Sequence, residues 1–148
     1  MTITAPPVTP RALALAHYAG RALLERVLAR HGVTFHQGVT LRVVAVADGP
    51  VGRDELVGEV TGSLKESESV VRGVVEELVA AKLVEADSAD AARLRLTDAG
   101  RTLYDTTTAE TAGISARVYA DIAPEDLAVA GRVLALITEH ANAELARA

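Results

Sequence analysis

The stretch from Gly49 to Gly100 constrains the fold most, because its pattern of apolar and turn-forming residues changes several times over a short length. A short helix is predicted over roughly Arg53–Val60, and Thr61-Gly62 is predicted to turn the chain. Ser63 and Glu66 have the spacing of a capping box, which predicts that the next helix begins there. The buried side of that helix is predicted to be Val70, Val71, Val74, Val75, Leu78 and Val79.

A β-hairpin is predicted to follow this helix. Leu83-Val84 begins the first strand, Asp87–Asp90 forms a polar turn, and Arg93–Leu96 alternates as a half-buried strand does. The order of elements is therefore helix, turn, helix and a two-stranded wing. This predicts a winged helix-turn-helix within a chain that is otherwise mainly α.

The N-terminal part of the chain is predicted to form two helices. Thr9-Pro10 fits the N-cap and the first position of a helix that extends to about Arg30. Thr34 and Gln37 form a capping box for a second helix, which is expected to continue to Asp48.

Two further helices are predicted after the hairpin. Thr97 caps a long helix that extends towards Ile122, and Ala123-Pro124 begins the last one. The last helix has an apolar stripe at helical spacing, formed by Leu127, Ala130, Val133, Leu134, Ile137, Ala141 and Leu145.

Composition limits the class of protein. The chain has 148 residues, of which 49% are hydrophobic and 3% aromatic, so one domain with a helical core of Leu, Val and Ala is expected. There is no cysteine, which excludes disulfides, thiol catalysis and thiolate metal sites. Neither a membrane-spanning run nor a signal peptide is visible, so a cytoplasmic protein without a membrane partner is predicted.

The two ends of the chain are predicted to mediate dimerisation. The helices within residues 9–32 and 98–148 have broad apolar faces, which need cover from more than one neighbour. They flank the winged helix-turn-helix of residues 49–97. A single domain covering residues 1–148, which assembles as a homodimer, is the simplest arrangement.

Several segments, in this order, resemble the MarR family of winged-helix transcriptional regulators. They are Gly49-Pro50 with Glu55-Leu56, Ser67…Arg72…Leu78, Leu83-Val84, Leu96–Arg101 and Ala123–Leu127. The resemblance covers nearly the whole chain. It implies a homodimer that binds pseudo-palindromic double-stranded DNA as a ligand-responsive regulator, most simply a repressor, with pockets for a small-molecule effector between the dimerisation helices and the DNA-binding lobe.

The resemblance also implies which residues contact DNA. Those of the recognition helix, in the major groove, are Lys65, Ser67, Ser69 and Arg72, and those of the wing are Arg93 and Arg95. Arg93 and Arg95 could instead lie on a solvated strand face and pair with Glu85 or Asp87. The wing is shorter than is usual in the family, and Lys82 replaces the family's usual glycine before Leu83-Val84.

The charge of the predicted DNA-binding lobe is unusual. Residues 51–97 contain six basic and ten acidic side chains, a balance of −4, whereas residues 1–34 have a balance of +3. DNA affinity depends on neutralised phosphates, so an acidic lobe weakens it. The alternative is a MarR-like dimer that has lost DNA binding and uses its pocket to bind a small molecule or to catalyse a reaction.

The resemblance places the effector pocket near polar and aromatic residues of several helices. These are His17, Tyr18, Arg21, His36, Arg42 and Tyr104. His17 could equally be a hydrogen-bonded interface residue. No histidine pair has the spacing of a helical metal site, and no catalytic or nucleotide-binding motif is present, so no cofactor and no enzymatic activity are predicted. A repurposed pocket with catalytic activity is the remaining alternative.

Overall fold

The computed structural model describes residues 6–147 and confirms a mainly α fold with a small β-sheet. The chain divides into two compact units, Met1–Ala112 and Gly113–Ala148. Its elements are α1 (Pro10–Ala29), α2 (Phe35–Val46), β1 (Val51–Gly52), α3 (Arg53–Leu64), α4 (Glu68–Ala80), β2 (Val84–Ala86), β3 (Arg93–Leu96), α5 (Asp98–Tyr119) and α6 (Pro124–Arg147). No helix within the described residues is both long enough and apolar enough to cross a membrane.

The caps predicted for the first two helices are present. The Thr9 hydroxyl accepts a hydrogen bond from the Ala12 amide at 3.1 Å. Thr34 and Gln37 form both bonds of the capping box. These caps satisfy amide groups that the first turn of a helix leaves without partners. The second helix ends at Val46, two residues before the predicted end at Asp48.

The boundary between α3 and α4 differs from the prediction. Thr61-Gly62 is helical, because α3 continues to Leu64, whose side chain packs against the core. Lys65 then adopts a left-handed conformation with φ 58°, and Ser67 is the N-cap of α4. The predicted start at Ser63 was wrong because ending α3 earlier would have left the Leu64 side chain without its core contacts.

The wing belongs to a three-stranded antiparallel sheet with the order β1-β3-β2. The predicted hairpin is β2 paired with β3, with Glu85 opposite Arg95. The third strand, β1, places Val51 opposite Leu94 and was not predicted. Two residues are too few to show alternation in a sequence, and the partner of β1 lies far along the chain.

The core of the first unit lies between α2, α3, α4 and the sheet. Its completely or almost completely buried side chains include Leu56, Val60, Val71, Val75, Leu78, Val84 and Leu94. Full burial of a Val or Leu side chain contributes roughly 1.5–3 kcal/mol. Val70, predicted to be buried, is 46% exposed, whereas Val71 is fully buried. The buried face of α4 is thus narrower than predicted.

The C-terminus of α4 forms a Schellman motif. The Leu83 amide donates to the Leu78 carbonyl and the Lys82 amide donates to the Val79 carbonyl, both at 3.0 Å. Leu78 belongs to the core cluster and Leu83 packs against it, which supplies the apolar contact typical of the motif. Lys82 has φ 59°, a conformation that favours glycine.

The N-terminus of α5 packs closely against the same turn. The Thr97 amide donates to the Leu83 carbonyl at 3.1 Å, and the Thr97 hydroxyl caps the Gly100 amide at 3.0 Å, as predicted. A Cβ atom at Gly100 would lie 2.0 Å from the Leu83 oxygen. Glycine is therefore required at this position by the close approach of backbone to backbone.

The second unit exposes apolar side chains. Within its described residues, up to Arg147, α6 has no buried side chain. Leu134 and Leu145 of the predicted stripe are 41% and 60% exposed, and Val118 and Tyr119 at the end of α5 are each 53% exposed. A helix with such a face is typically covered by another element or another subunit.

Candidate nucleic-acid interface

The exposed face of α4 carries the residues that were predicted to enter the major groove. Ser67, Ser69 and Arg72 lie on this face, and Lys65 lies in the turn that precedes it. The buried valines of α4 fix the opposite face against the core. The Ser67 hydroxyl accepts a hydrogen bond from the Val70 amide and lies 3.3 Å from the Ser69 hydroxyl.

Arg72 is held by two carboxylates. Its Nε and Nη2 atoms donate to Glu68 Oε1 at 2.9 and 2.7 Å, and Nη2 also donates to Asp54 Oδ1 at 3.0 Å. The hydrogen bond to Glu68, and to a smaller extent the one to Asp54, raises the pKa of the Arg72 guanidinium above its ordinary value. Arg72 is thus charged and oriented, but its charge is compensated within the protein.

The other arginines of the lobe also have partners within the protein. Arg53 Nη1 lies 2.6 Å from Glu76 Oε1, and Arg95 Nη2 lies 3.1 Å from Glu85 Oε1. Arg93 Nε and Nη2 donate to the Pro50 carbonyl at 3.1 and 2.6 Å. The pairing of Arg95 with Glu85 is the one that the sequence offered as an alternative to DNA contact. Arg93 instead links the wing to the segment before β1 through its hydrogen bonds to Pro50.

Within residues 51–97, Lys65 and Lys82 are the basic side chains that form no ion pair or hydrogen bond through their ammonium groups. Both lysines are exposed and both lie in left-handed turns at helix C-termini. At the tip of the wing, Asp87 and Asp90 accept hydrogen bonds from the amides of Ala89 and Ala92. The wing tip is therefore acidic. Positive charge without a carboxylate partner lies on Lys65 and Lys82 at the two ends of α4, and on Arg93, whose partner is the Pro50 carbonyl.

Two of the six predicted pocket residues contact the Phe35 ring. The Arg21 guanidinium carbon stacks 4.0 Å from the Phe35 ring centroid, and the His36 ring meets Phe35 edge-on at 5.8 Å. His36 Nε2 lies 3.1 Å from Glu66 Oε1, in the turn before α4. The first turn of α2 thus contacts both α1 and the helix-turn-helix.

The other four predicted pocket residues are not gathered there. His17 and Tyr18 are exposed on α1 with ring centroids 6.0 Å apart. Arg42 is exposed on α2, and Tyr104 packs against the core cluster. Among the contacts described for residues 6–147, none joins Arg42 or Tyr104 to the Arg21–Phe35–His36 group.

A cluster that the sequence did not predict joins the end of α1 to α5. Glu110 Oε1 lies 2.8 Å from His31 Nε2, and Glu110 Oε2 accepts a hydrogen bond from Arg30. The hydrogen bond with Arg30, and to a smaller extent the one with His31, lowers the pKa of the Glu110 carboxyl below its ordinary value. No local pattern signals this contact, because its partners lie far apart in the sequence.

The described residues contain no group of three or more His, Asp or Glu side chains that could bind a metal ion. An open cleft of about 500 Å³ lies beside the base of the wing. Arg95, Thr97, Asp98 and Arg101 line it, and none of the predicted pocket residues does.

Comparison with solved structures finds this fold in MarR-family transcriptional regulators. Staphylococcus aureus MarR in complex with salicylate and kanamycin is 20% identical, with a TM-score of 0.75 over 90% of each chain. A MarR-family regulator from Rhodococcus is 20% identical, with a TM-score of 0.70 over 85% of this chain and 90% of that one. The S. aureus MepR–DNA complex is 17% identical, with a TM-score of 0.68 over 88% of this chain and 96% of that one. The sequence matches no protein-family model and no curated protein.

Proposed function

We propose that this chain, which has the fold of the MarR-family regulators, is a cytoplasmic, ligand-responsive transcriptional regulator that binds DNA as a homodimer, most simply as a repressor. The observation that carries the proposal is the exposed face of α4, where Ser67, Ser69 and Arg72 stand opposite a face fixed in the core. A solved structure with this fold is a MepR–DNA complex.

On this proposal, α4 enters the major groove and the lysines at its ends bind phosphates. Lys65 lies just before the helix and Lys82 just after it. The hydroxyls of Ser67 and Ser69 lie at its N-terminus, where the helix dipole favours phosphate. Arg93 and Arg95 are proposed as secondary backbone contacts, because each must first leave Pro50 or Glu85.

A homodimer would cover the exposed apolar side chains of the terminal helices. They include Leu15 and Tyr18 on α1, and Val129, Leu134, Leu136 and Leu145 on α6. Two copies of a regulator of this kind would present two copies of α4 to the two halves of a pseudo-palindromic operator.

The effector is proposed to be a small aromatic carboxylate. S. aureus MarR was solved with salicylate, and here Arg21 stacks on Phe35 next to His36. An arginine beside an aromatic ring suits both the carboxylate and the ring of such a molecule. His36 also contacts Glu66 in the turn that precedes α4. An effector bound beside His36 would therefore shift the conformation of that turn, and with it the position of α4.

The proposal is tested by fluorescence anisotropy with the DNA upstream of the protein's own reading frame, at low and at moderate salt. The wild-type protein should prefer this DNA to a scrambled duplex, and Arg72→Ala should lose the preference while remaining a dimer on size-exclusion chromatography. Arg132→Ala, which removes the same charge from α6, is the matched control and should bind normally. Normal binding by Arg72→Ala would show that α4 does not read the operator.

The negative charge of the lobe and the pairing of its arginines with carboxylates favour a second candidate function. In this alternative, a protein of the same fold has lost DNA binding and uses its effector pocket to bind a small molecule or to catalyse a reaction. In that case no duplex would be preferred even at low salt. A thermal shift with salicylate that is lost in Arg21→Gln would then still be observed.

A further inference from the structure

We infer that Asp54 is a specificity-determining residue that competes with the guanine edge of a base pair for the guanidinium of Arg72. This inference rests on the proposed function. It concerns a residue of α3 that lies outside the recognition helix and is 88% exposed at its side chain.

The donors of Arg72 are limited in number and direction. A guanidinium has five N–H groups, and bidentate recognition of guanine uses two of them, directed at O6 and N7. In this structure Nε and Nη2 donate to Glu68, and Nη2 also donates to Asp54. Both hydrogens of Nη2 are thus engaged with carboxylates, so Nη2 cannot join Nη1 in reading a base until one carboxylate leaves.

The two carboxylates differ in how they are attached. Glu68 precedes Arg72 by one turn on α4, so it moves with the arginine and supports its orientation along the helix. Asp54 lies on α3 and approaches Arg72 from the neighbouring helix. Exchange of Asp54 for a base edge therefore leaves the Glu68 contact in place, which makes Asp54 the partner that DNA displaces.

The chemistry of the exchange is balanced. The guanidinium gives up one charge-assisted hydrogen bond to an exposed carboxylate and gains bonds to the acceptors of guanine. A duplex without guanine at that position offers no such replacement, so Arg72 keeps its contact with Asp54 and no competition arises. Asp54 would thereby weaken binding to every duplex through its charge, and to guanine-containing operators also through competition.

Glu55 provides a matched control for this effect. It is adjacent to Asp54 in the first turn of α3 and is also exposed, but it does not contact Arg72. Asp54→Asn and Glu55→Gln each remove one negative charge from the same helix turn, so both reduce the repulsion of phosphates and weaken the favourable dipole interaction of α3 to a similar extent.

The experiment measures affinity for two duplexes at fixed salt. One is a duplex recovered by the wild-type protein from a randomised pool, and the other is its scrambled counterpart. Exposed ion pairs change equilibria by about two- to fivefold, so Asp54→Asn should bind the selected duplex about two- to fivefold more tightly than Glu55→Gln does. On the scrambled duplex the two variants should be equal. In an Arg72→Ala background, the advantage of Asp54→Asn should disappear.

Equal gains for Asp54→Asn and Glu55→Gln on the selected duplex would overturn the inference, because the effect would then be one of net charge. So would an advantage of Asp54→Asn that extends equally to the scrambled duplex, or one that survives in Arg72→Ala. If the wild-type protein recovers no duplex from the pool, the proposed function itself fails, which is distinguishable from these results.

Discussion

Replacement of Gly100 by alanine tests the close packing between the start of α5 and the turn after α4. The new Cβ would lie 2.0 Å from the Leu83 oxygen and 3.0 Å from its carbonyl carbon. Ordinary contact begins near 3.4 Å, so the two backbones would have to separate by about 1.4 Å, the difference between 3.4 and 2.0 Å. A backbone oxygen cannot rotate away as the end of a long side chain can.

The separation would also break the hydrogen bond from the Thr97 amide to the Leu83 carbonyl, which is 3.1 Å long. Strain from overpacking costs about 1–3 kcal/mol, and the lost hydrogen bond costs about 1 kcal/mol more. The better helix propensity of alanine returns part of this, about 0.5–1 kcal/mol. The expected loss in the free energy of unfolding is therefore about 1–3.5 kcal/mol.

Urea unfolding followed by circular dichroism, at one fixed protomer concentration, measures this loss. Gly58→Ala is the matched control, because Gly58 is an exposed residue within α3 and a Cβ there would meet no atom within 4 Å. That variant should gain about 0.5–1 kcal/mol. If Gly100→Ala were as stable as the wild-type protein, the close approach to Leu83 would be incorrect.

Substitutions at three further positions, one of them with a matched control, test other features of the fold by the same unfolding assay. Lys82→Gly should stabilise the protein by about 0.5–1 kcal/mol, because glycine relieves the left-handed strain at φ 59°, and an unchanged urea midpoint would contradict this. Ser67→Ala should cost about 1 kcal/mol through loss of the α4 cap, whereas Ser69→Ala should cost much less; equal losses would refute the cap assignment. Glu110→Gln should lower stability at neutral pH. Because the pKa of Glu110 is depressed in the folded state, its contribution is present above the ordinary glutamate pKa and is lost as the pH falls through the folded pKa, so the two unfolding curves should converge in acid. A difference that persists at low pH would show that Glu110 acts through packing.

Local signals in the sequence predicted most of the fold. Thr9, Thr34 and Thr97 each cap a helix as predicted, because a cap involves residues only a few positions apart. The start of α4 was predicted at Ser63 instead of the observed N-cap Ser67, and both residues have capping chemistry. The correct start could not be identified from local sequence. It depended on whether the Leu64 side chain reaches the core, which is a tertiary contact.

The sequence predicted which charged residues the candidate interface contains, but not which of these charges are paired with one another. The sequence shows that the lobe is acidic, and it places Arg72 on the exposed side of a helix. It does not show that Asp54 on α3 accepts a hydrogen bond from Arg72, or that Arg93 donates to the Pro50 carbonyl. Each of these contacts joins segments that meet only after the core has formed.

The carboxylate partners of Arg53, Arg72 and Arg95 also affect how ions exchange at this surface. An arginine that leaves a carboxylate to neutralise a phosphate frees that carboxylate, which then attracts a cation from solution. This uptake offsets the counterion that DNA releases, so the exchange adds little to the dependence of affinity on salt. Within residues 51–97, Lys65, Lys82 and Arg93 have no carboxylate partner, so each of them that binds a phosphate adds roughly 0.9 to the logarithmic slope. A complex of this lobe with DNA would thus weaken less, as ionic strength rises, than one held by unpaired arginines.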